Sequence, residues 1–277
     1  MCEIGEKFAN LTYYNDCMKK SMSDKLFFID HLPKNQDFAF VDFGCADGTM
    51  INFLTELYNG EERENVYIGY DISEEMISLA KTNYHGPINF DVTFTNKWDE
   101  VISKLESLGK IHWKKVLVLS SVIHEVYSYG DDKSIGEFWD HVTNSGFDYI
   151  CIRDMCPYSD IDRPAYYRNI DKIIEKEDYK WQLDDFESKF GNITNHKNLV
   201  HFLLKYRWKI NWTREVNENY FPIYVEDLIK NITKDSKYTI DYLERFRVPF
   251  LDKCFKEDFD IELKDFTHIK AIFTNRH

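Results

Sequence analysis

One short stretch, FAFVDFGCADG at residues 38–48, constrains the fold more than any other, because an apolar run leads directly into an acid and three small residues. The apolar part has no alternation with polar residues, so it predicts a strand buried on both faces of a parallel sheet. Gly44, Ala46 and Gly48 follow at alternate positions and let the backbone approach a ligand closely. The stretch therefore predicts a nucleoside-binding turn after a central strand.

A second apolar strand, Asn65–Asp71 (NVYIGYD), also ends in an acid. Because the carboxyl ends of parallel strands meet at one edge of a sheet, we expect Asp71 beside the glycine turn, where a ribose-binding carboxylate lies in such folds. A dinucleotide fingerprint needs glycine at the sixth position from Gly44, but that residue is Thr49. The spacing therefore disfavours a nicotinamide dinucleotide.

The pattern acid-x-Gly-x-Gly/Ala-x-Gly, formed by Asp42, Gly44, Ala46 and Gly48, resembles the first motif of class I S-adenosylmethionine-dependent methyltransferases. The following segment YDISEEMISLAK is similar to the second motif region of that family. The resemblance is strong over residues 38–154 and weaker at the end of the chain. It implies an α/β fold with a doubly wound, mostly parallel, seven-stranded sheet, a Rossmann-like methyltransferase fold, with S-adenosyl-L-methionine as the cofactor.

Apolar spacing predicts the other elements of this sheet. The predicted helices cover Thr49–Tyr58, Asp99–Leu108 and Asp132–Asn144, and a further helix is N-capped by Ser73 and extends to Asn83. The predicted strands lie within Ile88–Thr95, Lys115–Val126, Phe147–Met155, Tyr238–Arg247 and Thr267–Thr274, with a helix at Phe250–Phe259 between the last two. Strands that alternate with helices across short loops predict an open, doubly wound α/β sheet.

The chain divides into four parts on this prediction. Residues 1–36 form an N-terminal helical cap segment, with a helix from Leu11 to Leu32. Residues 37–156 form the cofactor-binding core, and residues 157–235 form a helical insertion after the fifth strand. We expect this insertion to lie over the crevice as a substrate cap. Residues 236–277 return to the sheet as its last strands.

Composition predicts a compact cytoplasmic protein. The chain has 277 residues, 43% of them hydrophobic, which is enough for a large core. No apolar run approaches the about 18 residues of a membrane span, and the start, MCEIGEKFAN, lacks a hydrophobic signal region. Six cysteines without a CxxC pair indicate neither a zinc site nor a disulfide framework. The segment HEVYS lacks the second histidine of HExxH, so no metal site is predicted.

Charge limits the choice of partner. The net charge of −13 opposes nucleic-acid binding over the whole surface. Residues 196–214, here named the basic aromatic strip, nevertheless contain five basic residues, three tyrosine or tryptophan residues and no acid. Such a strip stacks bases and holds phosphates in some proteins, or it is the rim of a core helix. Both interpretations stay open at this point.

The resemblance assigns a set of cofactor-binding residues. Asp71 would accept hydrogen bonds from the ribose hydroxyls, Ile72 and Met76 would flank the adenine, and Asn96 and Asp91 compete for the adenine amino group. The complete predicted set is Asp42, Gly44, Cys45, Ala46, Gly48, Asp71, Ile72, Met76, Asn96 and Ser120.

His124 is the predicted catalytic residue, because it lies just beyond the fourth strand and its ordinary pKa near 6.5 suits a general base. A histidine that only lines the pocket is the alternative. Glu125, Arg153 and Asp154 are predicted to position the substrate, since an arginine at a strand end can hold a carboxylate or phosphate.

Three functions follow from these patterns. The favoured one is an S-adenosylmethionine-dependent methyltransferase that acts on a small-molecule acceptor beneath the cap. The second is an RNA or nucleotide methyltransferase that uses the basic aromatic strip. The third is a catalytically silent, cofactor-binding interaction protein. The acceptor and the oligomeric state are left open.

Overall fold

The computed structural model describes residues 22, 24–109, 113–234 and 237–276. Within these residues, seven strands form one sheet. In chain order they are β1 (Asp37–Phe43), β2 (Val66–Tyr70), β3 (Asp91–Thr95), β4 (Trp113–Ser120), β5 (Tyr149–Met155), β6 (Tyr238–Phe246) and β7 (His268–Asn275).

The strand order in the sheet is β3-β2-β1-β4-β5-β7-β6. The first five strands are parallel, and β7 is antiparallel to both β5 and β6. The predicted seven-stranded, mostly parallel, doubly wound sheet is therefore confirmed. Helices alternate with the strands along the chain.

Helices connect the strands and cover both faces of the sheet. Those up to β5 are α1 (Thr49–Leu57), α2 (Glu74–Asn83), α3 (Trp98–Ser107), α4 (Ile123–Tyr129) and α5 (Asp132–Asn144). Those after β5 are α6 (Tyr167–Ile174), α7 (Lys180–Phe190), α8 (His196–Lys205), α9 (Trp212–Glu215), α10 (Val225–Thr233) and α11 (Pro249–Phe259). Short 3-10 helices lie at Phe27–Asp30, Ser159–Ile161 and Glu177–Tyr179.

Alternate residues of β1 enter two different cores. Val41 and its same-face neighbours pack with apolar residues of α3 and α5, whereas Phe40 packs on the other face with residues of α1 and α2. Successive side chains of a strand point to opposite faces, so this division shows that helices cover both sides of β1. The unbroken apolar run of the first motif is explained by this double burial.

The fourth strand is followed by a turn and a short helix. The strand was predicted within Lys115–Val126, and β4 ends at Ser120, whereas residues 123–129 form α4, a helix that was not predicted. Ser121 has a φ of 58°, in the left-handed region that ends a strand. The amide of Ile123 then donates a hydrogen bond of 2.8 Å to Asp154. The sharp turn carries His124 into a helix just beyond the strand, so its predicted place after β4 agrees with the structure and the helix itself was missed.

The chain between β5 and β6 is helical, as predicted, and has an apolar core of its own. Phe255 and Phe259 of α11 complete that core, which joins the helical region to the end of the chain. That the region is an insertion, and that it covers an acceptor, both stay predictions.

Most of the predicted N-terminal helix, residues 11–21 and 23, lies outside the described residues. Within the described part, Phe28 of the short 3-10 helix is buried in the core. At the other end, β6, α11 and β7 follow in the predicted order. None of the helices in the described ranges combines the length and apolarity that a bilayer crossing requires.

Candidate active site

The glycine turn is fixed to the end of β2 by its backbone. The amides of Gly44 and Cys45 both donate to the carbonyl of Tyr70, at 2.8 and 2.9 Å. Gly44 and Gly48 have φ values of 79° and 78°, and Ala46 has a φ of 46°. The turn therefore needs left-handed backbone at three positions, which glycine adopts at the lowest cost.

Packing adds a second requirement for two of these glycines. A β-carbon built on Gly44 would lie 2.7 Å from Cγ2 of Val122, and one on Gly48 would lie 3.1 Å from Ala80 and from Phe94. The turn thus packs closely against the β4–α4 connection on one side and against α2 on the other. Cys45 is buried in the core, whereas Ala46 is exposed and Asp47 is half-buried.

Asp71 joins the glycine turn to α2. Its Oδ2 accepts a hydrogen bond of 3.0 Å from the amide of Ala46, and its Oδ1 accepts one of 2.9 Å from the amide of Ser73. The predicted N-cap is confirmed, because Oγ of Ser73 accepts a hydrogen bond of 3.2 Å from the amide of Met76. The predicted neighbourhood of Asp71 and the first motif is present.

An exposed apolar surface and an amide lie on the same edge. Ile72, next to Asp71, is 85% exposed, and Met76 is half-buried one turn further along α2. Asn96 directly follows β3 at its carboxyl end, whereas Asp91 begins that strand and pairs with Lys104 at 2.6 Å. Of the two competing residues, only Asn96 lies at the edge that carries Asp71.

Two buried polar groups lie at the carboxyl ends of β1 and β4. Burial raises the pKa of Asp42 to about 7, with the negative charges of Asp71 and Asp47 adding to the shift and Lys25 opposing it. Oγ of Ser120 is buried and has no hydrogen-bond partner among the described residues. An unpartnered buried hydroxyl at a strand end is the kind of atom that a bound ligand satisfies.

His124 and Asp154 form a buried pair. Nδ1 of His124 lies 2.9 Å from Oδ1 of Asp154, and the two residues are 5% and 1% exposed. Asp154 also accepts hydrogen bonds of 2.8 Å from the amides of Ile123 and Met155. A carboxylate at Nδ1 favours the tautomer with its proton there, which leaves Nε2 as the proton-accepting atom.

The charges around this pair move both pKa values. Burial alone would lower the pKa of His124, but the charge and hydrogen bond of Asp154, with the charges of Glu125 and Glu218, raise it above the ordinary value. Burial would raise the pKa of Asp154, but His124 and the two backbone amides lower it. His124 is therefore a stronger base than a solvated histidine.

Glu218 faces His124 and was missed from the sequence. Its Oε2 lies 3.9 Å from Nε2 of His124, while its Oε1 accepts hydrogen bonds from Arg214 at 2.8 Å and from the Tyr129 hydroxyl at 3.1 Å. Arg214 also bonds to Glu125 at 2.8 Å. Glu218 lies in a short turn far along the chain with no motif around it, so no sequence pattern marks it.

The same cluster has the composition of a cation site. Ligand atoms of His124, Glu125 and Glu218 lie within 4.8 Å of one another. Arg214, however, bonds to both glutamates and already supplies a positive charge between them. The cluster is best described as a network of ion pairs around His124.

Arg153, predicted to hold substrate, is engaged by protein side chains. Its Nε and Nη2 donate to Asp24 at 3.2 Å, and its Nη1 donates to Oγ of Ser121 at 3.0 Å. Lys270 also contacts Asp24. These contacts tie the N-terminal segment to the sheet edge.

The basic aromatic strip is not a continuous basic surface. Lys205, Tyr206 and Trp212 are buried. Arg207 pairs with Asp258 at 3.1 Å, and Arg214 pairs with two glutamates. The interpretation as a core helix holds for the centre of the strip, and the alternative function that depends on it is not favoured.

Comparisons with known proteins come from structure alone. No family model and no curated protein matches the chain. An S-adenosylmethionine-dependent methyltransferase from Anabaena variabilis is 11% identical to this chain. The match has a TM-score of 0.48 and covers 92% of this chain and 85% of that one. Magnesium protoporphyrin IX methyltransferase from Synechocystis, solved with S-adenosylhomocysteine, is 12% identical, with a TM-score of 0.48, over 95% and 85%.

A small RNA methyltransferase is 13% identical, with a TM-score of 0.48, over 93% of this chain but only 25% of its own length. All three are described as methyltransferases.

Proposed function

We propose that this chain is a methyltransferase that uses S-adenosyl-L-methionine. The observation that carries the proposal is the contact between Asp71 and the glycine turn, through the amide of Ala46. Each carboxylate oxygen of Asp71 accepts one backbone amide and keeps a further lone pair, which suits a pair of ribose hydroxyls.

The surrounding residues fit the same cofactor. Exposed Ile72 and half-buried Met76 would cover the adenine, and Asn96 would bond to its edge. The unpartnered hydroxyl of Ser120 supports a polar ligand at this edge. Asp42 would balance the positive charge of the cofactor. When bound, the cofactor supplies a methyl carbon on a positively charged sulfur, which an acceptor's electron pair attacks in line.

His124 would take the proton that the acceptor loses, at Nε2. Asp154 would hold the imidazole in its tautomer and would stabilise the charged form. This role differs from the predicted contact with substrate, because the carboxylate of Asp154 is occupied by His124 and two amides. Glu218 would stabilise the same charge from the side of Nε2.

A small-molecule acceptor is favoured over RNA. Three carboxylates and one arginine surround His124, which is a poor environment for a phosphate backbone. The pairing of the basic aromatic strip with acids supports the same choice. A cytoplasmic location is part of this proposal.

Calorimetric titration with S-adenosylmethionine and S-adenosylhomocysteine tests the proposal. Micromolar uptake of both is expected, followed by transfer of labelled methyl to an acceptor from a metabolite panel. Uptake without transfer to any metabolite or RNA fraction would support the catalytically silent alternative. Absence of uptake would contradict cofactor binding altogether.

A further inference from the structure

One side of α8 holds the segment that carries Glu218. His201 and Lys205 lie four residues apart and therefore on the same side of the helix. The ammonium of Lys205 donates hydrogen bonds to the main-chain carbonyls of Glu215 and Glu218. Nε2 of His201 accepts a hydrogen bond of 3.1 Å from the amide of Tyr220. The two side chains thus hold residues 215–220 by hydrogen bonds to the main chain near both ends of the segment.

The burial of Lys205 is unusual enough to need a reason. Its side chain is 0% exposed, and lysine is almost never fully buried unless it is partnered. Its ammonium also lies 3.9 Å from the centre of the Tyr220 ring, a favourable cation–π contact. An apolar side chain of similar length would fill this space without the desolvation cost. The hydrogen bonds of Lys205 therefore fix the position of residues 215–220, which an apolar side chain in the same space would not do.

Three residues of the segment 215–220 lie close to His124. Glu218, 3% exposed, places Oε2 3.9 Å from Nε2 of His124. The amide of Asn219 donates to Oγ of Ser128 at 2.7 Å, and that hydroxyl donates to the carbonyl of His124 at 2.6 Å. The Tyr220 ring meets the imidazole edge to face at 5.5 Å.

We propose that Lys205 and His201 are positioning residues of the candidate active site, which hold residues 215–220 so that Glu218 faces Nε2 of His124. The inference rests on the proposed function for the role of His124 as a proton acceptor. The hydrogen bonds that Lys205 and His201 make to residues 215–220, here named the brace, are a property of the protein alone. Lys205 is buried and is therefore not part of the basic surface that the sequence suggested. Its proposed role lies inside the site.

Titration of the His124 imidazole by NMR tests this proposal in the full-length protein, without an acceptor. Glu218→Gln should lower the pKa of His124, because it removes a negative charge. Lys205→Met should also lower that pKa, because the segment and its carboxylate move away. Loss of the lysine charge alone would raise the pKa, so the direction separates displacement of Glu218 from a simple charge effect.

Amide hydrogen exchange supplies the second readout. Lys205→Met should speed exchange at Asn219 and Tyr220 at least about tenfold, the change expected for an opening free energy lower by about 1.4 kcal/mol. Lys209→Met, an exposed lysine nearby, is the matched control and should change neither readout.

Unchanged exchange in Lys205→Met, or an unchanged or raised pKa of His124, would overturn the brace. If Lys205→Met does not fold, His201→Leu, which removes the acceptor for the Tyr220 amide, must meet the same two criteria. An unchanged His124 titration in Glu218→Gln would overturn the part assigned to Glu218. Failure of the wild-type protein to bind S-adenosylmethionine would count against the proposed function while leaving these titrations valid.

Discussion

The two sides of the candidate site are built in different ways. On the side of β1 and β2, the site consists mainly of two short segments, residues 42–48 and 71–76, with Ser120 and Asn96 added from the ends of β4 and β3. On the side of His124, the groups come from α4, β5 and the turn after α9, and side-chain contacts bring them together.

This difference explains why the two sides respond to different changes. A backbone site depends on local conformation, so a single β-carbon should disturb it. A side-chain network depends on charge balance, so it should respond to neutral replacements and to pH while the fold persists. The predictions below separate the two kinds of dependence.

Removal of the imidazole should have the largest effect. His124→Ala is expected to lower turnover by about 100- to 10,000-fold, the usual contribution of a general base, with the affinity for S-adenosylmethionine unchanged. Turnover with an identified acceptor and donor calorimetry are the measurements. His85→Ala, which removes an exposed histidine, is the control. Full turnover in His124→Ala would assign the proton to another group or to water.

Buried Asp42 should make stability fall as the pH rises. Its pKa is raised to about 7 from the ordinary 3.8, so between these values the folded state holds a proton that the unfolded state has lost. Stability should therefore fall across this window, by up to about 1.4 kcal/mol per pH unit, and level off above it. Urea unfolding from pH 4 to pH 8 measures the slope.

Asp42→Asn should remove that slope and raise stability above pH 7. It should also weaken donor binding, because the amide carries no charge to balance the cofactor. An identical pH dependence in Asp42→Asn and wild type would show that another group titrates.

A β-carbon on Gly44 should destabilise the turn by about 2–5 kcal/mol. The left-handed φ costs about 1–2 kcal/mol, and the contact with Val122 adds an overpacking cost of about 1–3 kcal/mol. Gly146 has a φ of 71° and no atom near its missing β-carbon, so Gly146→Ala isolates the cost of φ. Equal losses of unfolding free energy in Gly44→Ala and Gly146→Ala would exclude the packing contribution.

The backbone side of the site was predictable from sequence; in the side-chain network His124, Glu125 and Asp154 were identified, whereas Glu218 and the contacts among these residues were not. Gly44, Asp71 and the Ser73 cap were identified because local spacing determines turns and caps. The bounds of α5 agree with the prediction at both ends, Asp132 and Asn144, for the same reason.

The failures have tertiary causes. No helix was predicted directly after β4, but left-handed Ser121 and the hydrogen bond from Ile123 to Asp154 start α4 there. Lys205 belongs to a basic stretch, yet carbonyls of a distant turn satisfy its ammonium inside the core. Local patterns contain no information on partners so far apart along the chain.

Calorimetric titration of S-adenosylmethionine into wild type, Asp71→Ala and Asp91→Ala tests the proposed cofactor site most directly. Asp91→Ala, which removes an acid from the opposite end of the neighbouring strand, should bind like wild type. Asp71→Ala should bind at least about tenfold more weakly, because a hydrogen bond to a charged group contributes about 1.5–3 kcal/mol. Equal affinity in Asp71→Ala and wild type, or no uptake by wild type, would contradict a nucleoside site at this edge.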